Sequence, residues 1–276
     1  MIFVSSLIYY PIKACRGFEI ESATIERMGL QHDRRMMVVT PEGEFLTQRE
    51  FPRLALVTPK LCDHTLELSA PNYESIQVGV QTSGTPWPVN VWKSKGVQSI
   101  DQGDEAATWF SDWLGTAVRL VHIADGYKRL VNESYAVHND DHTGFADGYP
   151  ILLTSEEGLQ DLNSRLESPV PMNRFRPNIV VKGCDPFEED RWNRIRIGNV
   201  ELAVVKPCAR CEVTTIDQRS TPQSGSVDKE TLERQKEPLK TLGKYRKHKL
   251  GAIFGQNVIP LNGGSIRLGM NVEVLS

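Results

Sequence analysis

A chain of 276 residues, 39% hydrophobic and 24% charged, holds enough material for one large or two modest units of an ordinary globular protein. Its net charge of −3 gives no general attraction to nucleic acid, so any anion site must come from a local cluster of Arg and Lys. No stretch approaches the ~20 apolar residues of a membrane span, and five cysteines, an odd and sparse set, read as reduced thiols of a cytoplasmic protein and not as a disulfide framework.

Residues 2–10 form a β-rich run that stops at Pro11. No basic segment precedes the run, as a signal peptide would require; Lys13 and Arg16 follow it. Residues 19–26 alternate apolar and polar positions, which predicts one half-buried strand. Residues 36–40 are continuously apolar, Pro41-Glu42-Gly43-Glu44 supplies a turn, and residues 45–48 return as the second arm of a hairpin. Residues 54–58, 65–69 and 75–80 are further short strands, and their regular spacing is that of a sheet or barrel, not of βαβ units.

The first predicted helix covers residues 105–115, capped by Asp104 and ended by Gly115. Its stripe of Ala106, Trp109, Phe110, Trp113 and Leu114 reads as core packing. A strand follows over 118–122. Residues 127–148 are polar and form the longest predicted loop. His138 and His142, beside Asp140 and Asp141, would need further partners of fixed geometry to hold a metal and read as a solvated loop. Thr154 and Glu157 form a capping-box pattern that opens a second helix over 154–166.

From residue 179 the chain is strand-like again, over 179–182, 193–197, 200–207, 211–217, 252–260 and 265–275. Gly198-Asn199 is a tight turn and residues 218–225 a polar one. Residues 232–240 carry too little apolar surface for an assignment, and residues 239–245 predict a short helix after Pro238. The expected fold is α+β and predominantly β. Two units divide within 95–150, at 1–120 and 121–276, and the second is a closed barrel.

Chemistry is most plausible in residues 206–215, where Cys208 and Cys211 flank Ala209 and Arg210. A thiolate is a soft metal ligand, and a neighbouring Arg favours it. Structural zinc wants four ligands, usually from two such pairs, and this chain has one C-x-x-C. A thioredoxin-like pair expects its second Cys on a helix, whereas Cys211 opens a β-prone run. Two inert thiols remain an alternative. One thiolate, with the other ligands brought by a cofactor, matches the available donors best. Such a cofactor needs other groups to hold it. Arg174, Arg176 and Asn178 stand at the mouth of strand 179–182, Arg34 and Arg35 precede strand 36–40, and Lys13 and Arg16 follow the first strand. Guanidinium forks suit phosphate or a planar heterocycle. Each cluster alone reads as surface charge; their joint occurrence at strand ends points to an anion site.

Several blocks together carry a resemblance. Tyr10-Pro11-Ile12-Lys13-Ala14-Cys15-Arg16-Gly17, Thr47-Gln48-Arg49 with Arg53-Leu54, and Asp161-Leu162-Asn163-Ser164-Arg165-Leu166 lie in the first part of the pattern. Arg176-Pro177-Asn178-Ile179-Val180-Val181, Glu189-Asp190-x-Trp192, Pro207-Cys208-x-Arg210-Cys211-x-x-Thr214-Thr215 and Phe254-Gly255-Gln256-Asn257 complete it. In these blocks the chain resembles the MOSC-domain proteins, and among them the molybdenum-containing amidoxime-reducing components and their bacterial counterparts.

The resemblance implies a MOSC-type β-barrel with an N-terminal β-rich MOSC-associated domain, and a molybdenum cofactor of the molybdopterin type lying between the two halves. It implies that Cys211 is the metal ligand, that Lys13, Arg34, Arg176, Asn178, Arg210 and Asn257 surround the cofactor, and that Asp147 is the acidic residue near the metal with a part in proton supply. Ala14 stands where serine is common, so one hydroxyl contact to the phosphate is absent; Asn257 stands where mitochondrial relatives have tyrosine. The implied activity is reduction of small N-hydroxylated compounds, such as hydroxylaminopurines and amidoximes. No cysteine follows Cys211, so no appended iron–sulfur domain is expected. Electrons would come from a separate ferredoxin-, cytochrome- or flavoprotein-type donor, with no nucleic-acid or membrane partner. The alternative is a sulfur-carrier or cofactor-handling MOSC protein bearing a persulfide on Cys208 or Cys211.

Overall fold

The first strand, Phe3–Tyr9, is where the two ends of the chain meet. In this computed structural model, which describes residues 1–220 and 236–276, that strand pairs antiparallel with Ile179–Lys182 on one side. Its other edge is shared. Leu7–Tyr9 pair with the strand Phe18–Ile20, while Val4 N donates to Met270 O and Val272 N to Ile2 O, both at 2.9 Å. The order across the large sheet runs Phe18–Ile20, Phe3–Tyr9, Ile179–Lys182, Ile151–Ser155, Gly251–Pro260, Val200–Ala209, Arg194–Ile197, Val272–Val274. The bonds from residues 2–4 to residues 270–272 curl this sheet back on itself. Leu7, Leu153, Ile179, Val181, Ile195, Leu202 and Val258 fill its interior, all fully buried. Helix α1 (Asp104–Leu114) belongs to the other half. It lays Trp109, Phe110 and Trp113 against Leu54, Leu66 and Leu68, beside a four-stranded sheet ordered Met36–Val39, Arg119–Ile123, Ser94–Asp101, Trp87–Val91. The protein is thus α+β and mostly β, as predicted.

Several local assignments differ from the sequence expectation, each for a physical reason. Residues 19–26 are two strands in different sheets: Phe18–Ile20 pairs with the first strand, and Ser22–Glu26 pairs with Gly264–Arg267. The alternation slips by one position between Ile20 and Ala23, and that slip turns the second strand's apolar face to a different partner. Of residues 54–58, the first three lie in a 3₁₀ turn, Pro52–Leu56, where Pro52 presets the first dihedral, and the strand begins only at Thr58, over Thr58–Cys62. Residues 211–217 are not a strand. Thr214 Oγ1 donates to Cys211 O at 2.9 Å and Thr215 Oγ1 to Glu212 O at 2.8 Å, and these local bonds wind Glu212–Thr215 into a 3₁₀ turn. The return arm at 45–48 makes only an isolated bridge, Val39 to Phe45.

Helix α1 is preceded by Gly103, whose φ of 90° suits only glycine, and Asp104 sits inside it, bonded to Arg119 at 2.7 Å. Helix α2 spans Glu156–Asn163 with Ser155, not Thr154, as its cap; Ser155 Oγ accepts from Gly158 N at 3.2 Å. It ends early because the Asn163 amide exchanges hydrogen bonds with both backbone groups of Val170. Helix α3 (Leu239–Tyr245) follows Pro238 as predicted. The expectation for 232–240 falls, up to 235, outside the described residues. Within the predicted loop at 127–148, Arg129–Leu130 pairs with His142–Thr143; the His142 ring lies 2.8 Å from Asp140 O and His138 Nδ1 3.6 Å from Asp141.

Candidate active-site cleft

Strand ends from both halves converge on one cleft. Lys13, Arg34, Asp147, Arg176, Asn178, Arg210, Cys211 and Asn257, the eight residues the resemblance assigns to the site, all line it. Arg16, Arg35 and Arg174, also expected at an anion site, do not: Arg35 turns to Glu26 and Arg174 to Thr214 O. Lys13 and Arg34 arrive from the segments that follow the first strand, and Arg176 and Asn178 from the entry to Ile179–Lys182. Arg210 and Cys211 come from the exit of Val200–Ala209, and Asn257 from Gly251–Pro260. The carbonyl oxygen of Asn178 accepts from Arg34 Nη1 at 3.0 Å and from Leu152 N, while its amide nitrogen donates to Ile8 O. Asn178 therefore ties three segments together under the cleft floor.

The cleft is strongly cationic. Among the described residues, five cationic side chains, Lys13, Arg34, Arg49, Arg176 and Arg210, line it, against the single carboxylate of Asp147. Arg34 also pairs with buried Asp33 at 2.7 Å. Arg176 Nη2 and Arg210 Nε are buried and have no acceptor among the described residues. A buried donor without a partner is costly, so two such guanidinium groups facing one cleft call for an anionic, multi-acceptor ligand. A phosphorylated heterocycle fits that demand, and the exposed Cys211 thiol beside it supplies a soft ligand.

Lys13 and Asp147 form the titratable pair of the site. Lys13 Nζ donates to Asp147 Oδ1 and to Phe145 O. Crowding by neighbouring groups opposes ionisation of Asp147, although its side chain is 74% exposed at the cleft; Lys13 and the indole N–H of Trp92, 3.1 Å away, outweigh it and hold the carboxyl well below the usual range. Burial in turn lowers the ammonium pKa of Lys13, against the pull of Asp147.

The backbone is strained at this place. Ala14, Arg34, Trp92 and Arg176 hold left-handed dihedrals (φ of 69°, 47°, 53° and 57°), and all four line the cleft. Non-glycine residues adopt such angles mainly where surrounding contacts over-determine them, as at binding sites.

The sequence reading passed over four further groups. Tyr10, buried and with its hydroxyl pKa raised to about 12 by burial, offers its ring to two guanidinium groups; Arg34 and Arg176 each lie 4.3 Å from its centroid. Gly17 makes room for that ring, since a Cβ there would sit 2.4 Å from a Tyr10 carbon. Gln48 and Gln218 exchange amide hydrogen bonds at 3.0 and 2.9 Å, and Gln48 also donates to Ala14 O. Trp92 stands at the rim against Phe45, with Arg49 5.2 Å from its ring. Arg129 grips the backbone behind Asp147. Tyr10 lies inside a block already quoted, so its neighbourhood carried a signal. Gln48 also lies in a quoted block, but its pairing with Gln218, 170 positions away, carried no signal.

At the C-x-R-C stretch, Arg210 Nη1 lies 2.9 Å from Cys208 Sγ and Nη2 donates to Phe175 O at 2.7 Å. The arginine between the cysteines thus serves Cys208, and Cys211 stands apart at the head of the 3₁₀ turn.

Fold and cleft define a two-part MOSC protein: residues 1–117 match the MOSC N-terminal beta barrel domain and residues 140–273 the MOSC domain. The chain belongs to the MOSC-domain family that contains the amidoxime-reducing components. It is 38% identical to mitochondrial amidoxime-reducing component 1 of Mus musculus over 99% of this chain and 82% of that one. Against mitochondrial amidoxime reducing component 2 of Bos taurus, the identity is 38% over 88% of this chain and 72% of the relative. Among solved structures, the YuaD protein of Bacillus subtilis aligns over 99% of this chain and 95% of its own, at 10% identity and a TM-score of 0.43. Among the described residues, no helix is long and apolar enough to cross a membrane.

Proposed function

We propose that the protein is a molybdenum-cofactor-dependent reductase of N-hydroxylated compounds, such as hydroxylaminopurines and amidoximes, that takes electrons from a separate donor protein. The observation that carries this reading is the cleft itself, where a free thiol, five cations and two unpartnered buried guanidinium nitrogens converge. The names of the relatives support the substrate class. The unpaired state of all five cysteines suits a reducing cytoplasm. The division at 1–120 and 121–276, with the cofactor between the halves, is supported by the matched spans and by residues from both parts lining one cleft.

In this reading Cys211 supplies the thiolate ligand, while Arg34, Arg176, Asn178 and Arg210 hold the pterin and its phosphate. The bound cofactor supplies the two electrons that break the N–O bond. Reduction of R–NHOH to R–NH2 and water also consumes two protons. Asp147, kept ionised by its partners, orients Lys13 and stabilises its ammonium form, and Lys13 Nζ carries the pair's proton, regained from water after each transfer. Lowering of the Lys13 pKa by burial makes its ammonium the better acid. Asn257 donates its amide nitrogen to Lys206 O at 3.2 Å and Pro207 O at 3.4 Å, which leaves its carbonyl oxygen as an acceptor at the cleft wall.

Metal and pterin analysis of protein made in a host with an intact cofactor pathway tests the reading. About one Mo per chain is expected for a single-thiolate site, with turnover of hydroxylaminopurine under a chemical reductant. Protein without Mo or pterin overturns it. A persulfide on Cys208 or Cys211 in the intact mass, with no turnover, would favour the sulfur-carrier alternative.

A further inference from the structure

Arg129 is 5% exposed, and its guanidinium bonds only to neutral oxygens. Nε donates to Gly144 O at 2.7 Å and Nη2 to Ala146 O. A buried cation without an ion pair is costly, and burial pulls its pKa down to about 10. The oxygens it holds explain its presence. They alternate along residues 144–147, and the carbonyl between them, Phe145 O, accepts from Lys13 Nζ at 2.9 Å. Phe145 N donates to Arg34 O at 2.7 Å, and Gly144 lies so close to that oxygen that a Cβ would stand 2.7 Å from it. Three cationic residues thus grip four consecutive residues, and the fourth is Asp147.

We propose that Arg129 is a positioning residue for the Lys13–Asp147 pair: it fixes the backbone that delivers Asp147 and sets a permanent positive charge behind the pair. The proposal rests on the reductase reading for its kinetic arm alone. Lys13 faces Asp147, Arg129 and Arg34, with the rings of Phe45 and Trp92 beside it. Asp147 faces Lys13, Trp92 and Arg34; Arg129 faces Asp147 and Tyr127. A like charge nearby disfavours an ammonium ion, so loss of the Arg129 charge raises the Lys13 pKa.

Two variants of the full holoprotein separate charge from grip. Arg129→Lys keeps the charge and loses the two-carbonyl fork; Arg129→Gln keeps a donor and loses the charge. The readouts are kcat and KM against pH, the melting temperature, and the ¹⁵N titration of the Lys13 amine in lysine-labelled protein, assigned by its loss in Lys13→Arg. Arg129→Gln should move the Lys13 titration and the alkaline limb of kcat upward by about one pH unit, as removal of a nearby like charge does. Arg129→Lys should leave the Lys13 titration in place, lower kcat about tenfold and hold KM within about twofold, as a displaced proton donor does.

A folded Arg129→Gln variant with an unmoved Lys13 titration overturns the electrostatic role. Arg129→Lys with wild-type kcat overturns the positioning role and remains decisive should the glutamine variant not fold. Wild-type protein without turnover would sink the reductase reading alone, while the amine titration would still decide what Arg129 does to Lys13.

Discussion

Tyr10 shows how one residue builds the cationic cleft. Two guanidinium groups would repel each other across a shared site, yet Arg34 and Arg176 both rest 4.3 Å from the same ring, whose π-face attracts cations. Tyr10→Ala should loosen Arg176 more than Arg34, which Asp33 and Asn178 also hold, and weaken cofactor retention roughly five- to thirtyfold for about 1–2 kcal/mol of lost cation–π stabilisation; Tyr10→Phe should retain it, both measured as Mo per chain after dialysis. The cysteines separate in the same assay. Cys211→Ala should lose Mo and turnover together. Cys208→Ala should keep most of both, because Arg210 retains its bond to Phe175 O. At this scale the sequence was informative where chemistry shows in residue type: a thiol, guanidinium groups, a carboxamide and a carboxylate reached the cleft, although Arg35 and Arg174 turned to other partners. It was silent where a neutral residue acts by shape or long-range contact, as with Trp92, Gln48 and Gln218. It was also silent on Arg129, whose value lies in which carbonyls it meets.

Among the elements, the junction of the strand Ile151–Ser155 with helix α2 carries a titration of its own. Ser155 Oγ caps the helix and donates to Glu189 Oε2 at 2.8 Å; Glu189 is 1% exposed and its second oxygen has no partner. Burial, more than the neighbouring Asp190, raises the Glu189 pKa from 4.5 to about 7. The folded state therefore holds this proton more tightly than the unfolded one. Its stabilisation is complete below about pH 4.5 and is lost as the pH rises through about 7. Glu189→Gln should flatten the fall in stability between pH 5 and 8 by up to about 3 kcal/mol, as read by denaturant melts at the two pH values.

Helix α1 makes the opposite kind of contribution. Phe110 is fully buried against Trp109 with no polar atom to satisfy, and Phe110→Ala should cost about 3–5 kcal/mol, with little effect on the cleft it does not touch. The stripe that places Phe110 was legible from its spacing. Residues 211–217 were misread because Val213, Thr214 and Thr215 favour a strand by type, whereas their hydroxyls bond to the local backbone.

For the whole molecule, a cleft assembled from both halves makes the ligand part of the fold's stability. A ligand that binds only the folded state adds about 2.7 kcal/mol at a hundredfold excess over its Kd. Cofactor-loaded protein should therefore melt several degrees above cofactor-free protein, and the difference should shrink in Cys211→Ala. A cofactor-free chain that melts with the loaded one would argue against a cleft built to be filled.

The first strand has one more consequence, in time and not in space. Residues 2–4 leave the ribosome long before their partners around residues 180 and 270. While the chain is being made, Val4 and Leu7 have no sheet to join, and the barrel interior they fill stays open. Barrel closure thus waits until residues 270–272 have emerged. A nascent chain arrested near residue 200 should hold the α1 half in a protease-resistant state while its own first ten residues remain open to cleavage.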